Sequence, residues 1–314
     1  MNKVIFQAVW NALLTDPVFA ARVICGYELD AFQAVRLRYF WWTRRSMDSS
    51  GFSTGKTLVD WLFLALRCIL IPNQHCGVFY PYFETGKQSF WKYFRECQHP
   101  IFRAQLGGTD EKGDEMELTT RGSACYRAFY RNGSETMMPA PGHIRDDAAS
   151  QSSLRLNSGL FEEWTHVDAM SDSIDHQLIE RVTRPSWNQH HPIWGNHLTF
   201  TAPAKTEMHP GATRYRTMRR EMECGDPDVA CFNFSYKDYS NLACHTGKSY
   251  REQYRIDTIL MALKQKLGRA EFMGEGLGIW AKSGKGWFTE EALLACMEMG
   301  RQRGLRPVMD RAEG

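Results

Sequence analysis

The feature that most constrains the fold is a loop of small residues that ends in glycine, lysine and threonine. It occupies residues 49–57, and an apolar stretch at residues 58–71 follows it directly. Backbone N–H groups of such a loop can surround phosphate oxygens, while the lysine meets the β- and γ-phosphates and the threonine hydroxyl holds Mg²⁺. The loop is therefore predicted to be a phosphate-binding P-loop. The residues predicted to surround the phosphates are Ser50, Gly51, Ser53, Thr54, Gly55, Lys56 and Thr57.

The opening of this loop departs from the usual pattern, which places a glycine six residues before the lysine. Ser50 occupies that position, and Gly51 comes one residue later. The flanking elements must therefore support the assignment, with a buried strand before the loop and a helix after it. Residues 58–71 have the helical spacing of a helix buried on most sides. The strand before the loop, Arg45–Asp48, is short and polar.

A second Gly-Lys-Ser sequence at residues 247–249 is a rival phosphate site. Its opening position is Leu242, and the helix predicted at residues 250–267 carries many charged residues. Such an amphipathic helix is typical of a protein surface, whereas the helix of a P-loop packs against the sheet. The first loop is therefore the favoured nucleotide site.

Composition excludes some classes of protein. The chain has 314 residues, of which 43% are hydrophobic, and its net charge is +2, so it has ample length for a core and no overall excess of positive charge for nucleic acid. Nine cysteines without a Cys-x-x-Cys motif indicate reduced thiols in a cytosol. The stretch at residues 58–71 contains Asp60 and Arg67 and is too short to span a bilayer, so no membrane association is expected.

The order of predicted elements indicates an α/β fold. A buried strand at residues 76–80 and a helix at residues 85–96 continue the alternation that the P-loop helix begins, which favours a mainly parallel sheet with helices on its faces. Asn132-Gly133 lies between two β-like stretches and is the strongest short signal for a hairpin. We therefore predict a parallel sheet with an inserted β-hairpin.

Two adjacent glutamates, Glu162 and Glu163, follow the short apolar stretch Gly159-Leu160-Phe161. A P-loop ATPase needs an acidic residue at the end of a neighbouring strand to position Mg²⁺, and often a second carboxylate to orient or deprotonate the attacking water. The pair can serve both needs, with Glu162 on the metal and Glu163 on the water.

Three other features have alternative interpretations from the residues alone. Gln33 lies ahead of the loop and is either a contact to an adenine edge or a surface glutamine. Thr201 ends a strand predicted at residues 196–203, where it either senses the γ-phosphate or simply precedes a proline turn. Arg216, Arg219 and Arg220 share one helical face, which is a DNA or partner contact or, more commonly, a solvated face.

The series of motifs resembles the ATPase part of the large terminase subunit of tailed bacteriophages, the motor that drives DNA into the procapsid. The resemblance covers roughly residues 25–300 and depends on the order of the motifs rather than on any one of them. Besides the Gly-Lys-Thr loop, the motifs are Phe32-Gln33, Asn132-Gly133-Ser134, Ser153-Leu154-Arg155, Glu162-Glu163-Trp164-Thr165, Phe200-Thr201-Ala202-Pro203, Glu271-Phe272, Glu275, Gly278 and Trp280.

The resemblance implies a RecA-like sheet of the ASCE class of P-loop NTPases, with a helical lid subdomain, and it implies ATP and Mg²⁺ as ligands. We expect an ATPase core with an N-terminal helical segment at residues 1–235 and a lid or linker subdomain at residues 236–314. Thr201 would couple hydrolysis to movement, and Arg155 would be an arginine finger that reaches a neighbour's site, with Arg145 in reserve. The family loop usually carries an arginine where this chain has Phe52, so one source of positive charge is missing or supplied elsewhere.

The resemblance also implies partners and a location. These are double-stranded DNA, the portal protein on the procapsid, a small terminase subunit and other copies of this chain in a ring. The protein would work in the host cytoplasm, dock transiently on the portal and be absent from the mature virion. The chain ends at Gly314, about where a nuclease domain would begin, and shows no acidic cluster for one, so we expect Mg²⁺-dependent ATP hydrolysis without DNA cleavage.

Two other functions are compatible with the sequence. Ser50 and Phe52 are also what a degenerate loop would show, in which case the protein is a nucleotide-binding scaffold or regulator that does not hydrolyse ATP. Alternatively, the chain is a P-loop helicase or translocase that acts outside DNA packaging.

Overall fold

The computed structural model describes residues 3–51, 54–80, 83–109, 115–116, 118–119, 125–139, 156–163, 165, 197–205, 207, 209–244 and 246–281. The described helices are α1 (Lys3–Thr15), α2 (Pro17–Ala20), α3 (Ala31–Trp42), α4 (Lys56–Leu70), α5 (Phe83–Ser89), α6 (Lys92–Glu96), α7 (Pro100–Gln105), α8 (Pro210–Glu223), α9 (Tyr236–Tyr239), α10 (Tyr250–Gln253), α11 (Ile256–Lys266) and α12 (Arg269–Glu271), with π-helical turns at Ala21–Cys25 and Phe272–Gly276. The described strands are β1 (Arg45–Asp48), β2 (His75–Phe79), β3 (Gly108–Thr109), β4 (Glu115–Met116), β5 (Leu118–Thr119), β6 (Cys125–Phe129), β7 (Glu135–Pro139), β8 (Ser158–Glu162), β9 (His197–Thr201) and β10 (Val229–Phe232).

The main sheet has eight strands in the order β10-β1-β9-β8-β2-β7-β6-β5. The first six strands in this order are mutually parallel, and β6 and β5 are antiparallel to their neighbours. The predicted mainly parallel α/β fold is therefore confirmed. The predicted hairpin is also confirmed: β6 and β7 pair with Phe129 opposite Glu135, and Gly133 has a φ of 82° in the turn between them.

The register of the parallel strands aligns the residues on which the site depends. Thr201 is paired with Asp48 across β9 and β1, and with Glu162 across β9 and β8. The ends of these three strands therefore lie side by side at the carboxyl edge of the sheet, where ligands of open α/β folds bind. The prediction that Glu162 ends a strand next to the P-loop strand is wrong, because β9 lies between β8 and β1.

The core on one face of the sheet is built around α4. All of residues 59–70 are buried, and Trp61 packs in edge-on contact with Phe94 and Phe102 at centroid distances of 5.7 and 5.4 Å. Each fully buried large apolar side chain contributes about 1.5–3 kcal/mol relative to an exposed one. The predicted buried helix after the loop is confirmed, and its packing fixes the loop's end against the sheet.

The opposite face of the sheet is covered by α8. Tyr215 and Met218 of this helix join a second buried cluster with Met47, Phe161 and Phe200 of the strands. The rings of Phe161 and Phe200 stack at 5.3 Å across β8 and β9. Helices on both faces thus keep the parallel strands away from water, as the backbone of a parallel sheet requires.

The polar strand β1 is buried because its side chains have polar partners. The hydroxyls of Ser46 and Thr43 hydrogen-bond at 2.8 Å, and Asp48 forms an ion pair with Arg36 of α3 in which both side chains are fully buried. Burial of polar groups costs little when they are hydrogen-bonded. The prediction of a strand at Arg45–Asp48 is confirmed.

The part of the predicted lid that the structure describes, residues 236–244 and 246–281, packs on α3 through a third apolar cluster. Phe32 contacts Tyr239 and Tyr250 at centroid distances of 5.5 and 4.8 Å. The single helix predicted at residues 250–267 is wrong, because Arg255 has a φ of 49° and separates α10 from α11. A left-handed residue cannot continue a right-handed helix. The boundary predicted at residue 235 stays a prediction.

A search of the described helices for membrane spans found no single helix that is long and apolar enough. One bent pair, Val4–Thr15 with Pro17–Cys25, meets the criteria of length and composition together, with an angle of 108° between its parts.

Candidate nucleotide site

The loop between β1 and α4 has the backbone expected of a phosphate site. Gly55 is the N-cap of α4 with a φ of 71°, and a Cβ atom there would lie 2.4 Å from Nε2 of Gln33. Only glycine satisfies both the left-handed conformation and this close approach. Helix α4 then begins at Lys56, so its unpaired N–H groups and the positive end of its dipole face the loop.

Arg36 contacts both ends of the loop between β1 and α4. Its guanidinium pairs with Asp48 at the start of the loop and donates to the backbone oxygen of Thr54 at 2.9 Å near the end of the loop. Oδ1 of Asp48 accepts a bond of 2.8 Å from the backbone N–H of Ser50. The arginine and the aspartate together therefore fix both ends of the loop, which is a role that the sequence analysis missed for each of them.

Lys56 lies in the loop with its ammonium bonded to backbone oxygens. Its Nζ donates to Ser50 O at 2.7 Å and to Gly51 O at 2.9 Å. Burial lowers the pKa of this ammonium from its usual value. An ammonium with few water molecules around it interacts strongly with a phosphate that replaces those carbonyl partners, so the geometry fits the predicted role.

Thr57 and Glu162 meet across the site, where the threonine hydroxyl donates directly to Oε1 of the carboxylate. Oε2 of Glu162 is buried and has no hydrogen-bond partner among the described residues. Burial, with a contribution from nearby Asp60, raises the pKa of Glu162 well above its usual value. The Thr57 hydroxyl and the Glu162 carboxylate, whose Oε2 is buried and unsatisfied, are a suitable donor set for Mg²⁺, which is usually held by one or two protein groups plus phosphates and water.

Within the described residues, the pair of Thr57 and Glu162 has no competing larger metal cluster. Groups of three or more His, Cys, Asp or Glu side chains that could hold a metal do not occur in the part of the chain that the structure describes.

Glu163 follows β8 with a strained backbone. Its φ is 52°, and its backbone N–H donates to the oxygen of Thr201 at 2.6 Å. Non-glycine residues in this conformation cost free energy and concentrate at functional sites. Burial raises the pKa of Glu163, and the nearby ammonium of Lys56 opposes that shift. A carboxylate with a raised pKa close to the P-loop lysine fits the predicted role of orienting or deprotonating water.

Thr201 lies on the strand directly beside β1, as predicted. Its hydroxyl donates to Oδ2 of Asp60 at 2.9 Å, and both side chains are fully buried. Asp60 is on α4, one turn after the lysine and threonine of the P-loop, and its Oδ1 has no hydrogen-bond partner among the described residues. Thr201 is therefore connected to the P-loop helix. The alternative interpretation, in which Thr201 simply precedes a proline turn, does not predict this contact.

Two of the alternatives left open by the sequence now have a structural answer. Gln33 is not a surface glutamine, because it is 4% exposed and its Oε1 accepts from the backbone N–H of Asp30 at 3.2 Å. The rival sequence at residues 247–249 is not a P-loop: Ser249 caps the four-residue helix α10 and exchanges hydrogen bonds with Glu252. No strand of the sheet precedes it in the described residues 236–244.

Arg216, Arg219 and Arg220 of α8 are exposed, with Arg219 in a 2.8 Å bond to Glu223 and Arg216 contacting the hydroxyl of Thr213. A solvated face accounts for these contacts. Ser53, Phe52, Arg145 and Arg155 lie outside the described residues, so their predicted roles stay predictions.

The fold is of the P-loop NTPase class. The features that define it lie at the edge of a parallel sheet: a loop that ends in Lys56, the hydroxyl of Thr57 beside the buried carboxylate of Glu162, and a second acid, Glu163. No protein-family model matches the chain. A search of the curated proteins also found no match.

Solved structures do share the fold. The large terminase of bacteriophage HK97 matches with a TM-score of 0.58 and 13% identity, over 85% of this chain and 55% of that chain. A variant of the large terminase ATPase domain of Thermus phage P74-26 matches with a TM-score of 0.52 and 12% identity, over 83% of this chain and 97% of that domain. The large terminase of a thermophilic bacteriophage in complex with ADP matches with a TM-score of 0.51 and 12% identity, over 81% of this chain and 54% of that chain.

The fold of this chain is therefore that of large terminase ATPase domains, as the motif series predicted. The chain spans about half the length of the whole terminases that it matches.

Proposed function

We propose that this chain is the Mg²⁺-dependent ATPase of a phage DNA-packaging motor, which moves double-stranded DNA into a procapsid. The observation that carries the proposal is the contact of Thr57 with Glu162 at the carboxyl edge of the sheet. Lys56 directly precedes Thr57 in the chain, and Glu163 directly follows Glu162. The similar large terminases solved with ADP and with ATP-gamma-S support ATP as the nucleotide.

The roles of the residues follow from their positions. Lys56 and the N–H groups at the start of α4 would bind the β- and γ-phosphates, while Thr57 and Glu162 would hold Mg²⁺. Bound Mg²⁺ neutralises charge on the phosphate oxygens. Glu163 would orient a water molecule for attack on the γ-phosphate and accept its proton. Thr201, through its bond to Asp60 on the P-loop helix, is placed to respond to the nucleotide and pass that response into β9.

Ser50 has a defined contact at the position where glycine is usual. The hydroxyl oxygen of this residue accepts a bond of 2.9 Å from the backbone N–H of Phe234, and the side chain is fully buried. Serine therefore has its own packing role at the position where glycine is usual.

The partners follow from the proposed motor role and stay proposals with it. They are double-stranded DNA, the portal protein of the procapsid, a small terminase subunit and further copies of this chain in a ring. A site of action in the host cytoplasm, with transient docking on the portal and absence from the mature virion, follows from the same role. We also propose that Arg155 of one copy reaches the site of the next, and that this chain does not cut DNA.

The test is ATP turnover by the purified chain with Mg²⁺, measured with and without double-stranded DNA and procapsids. We expect turnover that these partners stimulate, and its loss in Glu163→Gln without loss of ATP-gamma-S binding. Glu252→Gln is the matched control, because Glu252 belongs to the rival sequence.

The outcomes separate the candidate functions. Nucleotide binding without turnover under every condition would favour the scaffold. ATP-dependent strand separation, rather than movement of intact duplex, would favour the helicase interpretation. Mg²⁺- or Mn²⁺-dependent DNA cutting by the chain would contradict the predicted lack of nuclease activity.

A further inference from the structure

A segment with three glycines, residues 272–281, packs on two loops of the nucleotide site at once. We call it the glycine segment. A Cβ on Gly274 would lie 2.0 Å from the backbone oxygen of Ala204, and a Cβ on Gly278 would lie 2.6 Å from the backbone nitrogen of Gly51. Such distances leave no room for a side chain, so the glycines allow direct contact between backbones.

The contact with the P-loop requires a glycine on both sides. A Cβ on Gly51 would lie 2.6 Å from the backbone oxygen of Gly276 and 3.1 Å from the backbone nitrogen of Gly278. The usual pattern of a phosphate loop has its first glycine one residue earlier, where this chain has Ser50. The close approach of the glycine segment therefore accounts for a glycine at position 51.

The opening of the P-loop is held by contacts from outside the loop. The hydroxyl oxygen of Ser50 accepts from the backbone N–H of Phe234 at 2.9 Å, and the backbone N–H of Gly51 donates to Phe234 O at 3.3 Å. The backbone oxygens of Ser50 and Gly51 accept from Nζ of Lys56. A shift of the glycine segment against Gly51 would therefore act directly on a partner of the proposed phosphate-binding lysine.

The second contact of the glycine segment is with the loop that follows β9. Besides the approach of Gly274, Nζ of Lys205 lies 2.6 Å from Oε1 of Glu275, and these two side chains are mostly buried. The backbone oxygen of Lys205 also accepts from Ala281 N at 2.9 Å. The loop after β9 is therefore attached to the glycine segment at three places.

The loop after β9 also holds the stretch of chain that carries Glu163. The loop starts at Thr201, whose backbone oxygen accepts from Glu163 N at 2.6 Å. Two residues later, the backbone oxygen of Pro203 accepts from the hydroxyl of Thr165 at 3.2 Å. The position of the Glu163 backbone therefore depends on this loop, and the position of the loop depends on the glycine segment.

We propose that the glycine segment positions two parts of the nucleotide site independently: Gly276 and Gly278 position the P-loop, and Gly274 positions the loop that holds Glu163. These glycines are positioning residues, because they act through the two loops. The assignment rests on the proposed function, since it concerns nucleotide binding and hydrolysis. A misplacement of about 1 Å far from the reacting atoms can lower a rate by about 10²-fold, so direct backbone contacts are suited to this role.

The two contacts predict two different defects. Gly278→Ala forces the segment away from Gly51, and we expect it to weaken the binding of Mg·ADP and Mg·ATP-gamma-S alike by about tenfold, the usual order for an overpacked contact. Gly274→Ala displaces the loop after β9, so kcat should fall by up to about 10²-fold. Its affinity for Mg·ADP should stay within about twofold. Glu275→Gln, which adds no atom, should lower kcat by a smaller factor.

Gly225→Ala is the control for backbone strain. Gly225 and Gly278 are both left-handed, with φ values of 89° and 70°, but a Cβ on Gly225 would meet no atom of the described residues within 4 Å. Isothermal titration calorimetry and steady-state turnover of the full chain measure the two defects. Unchanged nucleotide affinity in Gly278→Ala, or an equal loss in Gly225→Ala, would overturn the inference. Weaker Mg·ADP binding in Gly274→Ala would overturn the division into two contacts.

Hydrogen exchange on the unaltered chain decides the matter if Gly278→Ala does not fold. Mg·ADP at about 100 times its Kd should slow amide exchange at the start of α4 and in the glycine segment by up to about 10²-fold, and it should leave α1 unchanged. Protection of α4 with unchanged exchange in the glycine segment would overturn the inference. Protection of neither, with no heat of nucleotide binding, would contradict the proposed function itself, which is a different result.

Discussion

The sequences Gly55-Lys56-Thr57 and Gly247-Lys248-Ser249 are nearly identical, yet they build different structures. Both glycines are left-handed, with φ values of 71° and 79°. The first sequence joins a buried parallel strand to a helix of 15 residues, whereas the second joins an exposed turn to a helix of four. The glycine conformation is therefore shared by a phosphate loop and an ordinary turn.

The difference lies in what surrounds the two sequences. The hydroxyl of Thr57 meets a buried carboxylate from β8, while the hydroxyl of Ser249 is used within its own turn by Glu252. The ammonium of Lys56 is enclosed by the loop, while Lys248 is exposed. A nucleotide site thus requires partners from distant parts of the chain, and the three-residue motif does not provide them.

The largest expected effect comes from removing each lysine in turn. Lys56→Ala should lower kcat/KM for ATP by about 10²–10³-fold, the order that one charge-stabilising donor in a dry site contributes. Lys248→Ala should leave it within about twofold, because an exposed charge contributes little. Steady-state turnover of both variants is the measurement. Comparable losses in the two variants would remove the distinction between the two loops.

The second test compares the ion pairs near the two loops. Arg36 and Asp48 are fully buried under the P-loop, whereas Arg251 and Asp257 near the second loop are about half exposed. Arg36→Met should reduce the free energy of unfolding by about 3–5 kcal/mol, since it leaves a buried charge without its partner. Arg251→Met should cost about 0–1 kcal/mol.

Urea unfolding gives both values for the arginine variants. If Arg36→Met lowers the free energy of unfolding no more than Arg251→Met does, the ion pair of Arg36 with Asp48 does not stabilise the fold.

A third test uses pH. Burial raises the pKa of Asp60 on α4 to about 8, compared with about 3.9 in an unfolded chain. Between these values the folded state holds a proton that the unfolded state has lost, so this group makes folding less favourable as pH rises. Asp60→Asn removes that penalty. The free energy of unfolding of this variant, relative to that of the unaltered chain, should therefore rise from pH 5 to pH 8 by at most about 1.4 kcal/mol per pH unit.

Urea unfolding at several pH values measures this change for Asp60→Asn. Asp257→Asn on α11 is the control for removal of an exposed carboxylate. A stability difference for Asp60→Asn that stays constant with pH would show that Asp60 remains ionised in the folded protein.

The smallest effect is expected in the second loop itself. Ser249→Ala removes the side-chain cap of α10 and should cost about 1 kcal/mol of stability. ATP turnover and ATP-gamma-S affinity should not change. Any loss of nucleotide affinity in this variant would mean that the second loop takes part in the site after all.

Local patterns predicted much of this fold. The spacing of apolar residues after the P-loop was enough to predict α4, and Asn132-Gly133 was enough to predict the hairpin. Glu162 and Thr201 were found because each ends a short strand, and Glu163 because it directly follows Glu162. In each case the signal lies within a few neighbouring residues.

The rest depends on contacts between residues that are far apart in the sequence. In the sequence, Arg36 and Asp60 look like exposed charges on helices. No neighbouring residue predicts the buried partner of either one, which is Asp48 for Arg36 and Thr201 for Asp60. The ion pair of Lys205 with Glu275 joins segments that are 70 residues apart. No glycine or proline lies beside Arg255 to predict the break between α10 and α11. These features could be recognised only from the folded chain.

The proposed ATPase requires nucleotide on the first loop, with Mg²⁺ held between Thr57 and Glu162. The most direct measurement is a crystal structure of the chain with Mg·ATP-gamma-S. We expect phosphates over the start of α4, a metal ion bonded to Thr57 Oγ1 near Glu162, and Lys56 Nζ moved from the backbone oxygens of Ser50 and Gly51 to a phosphate oxygen. A nucleotide bound elsewhere, or an unchanged Lys56 at saturating nucleotide, would contradict this proposal.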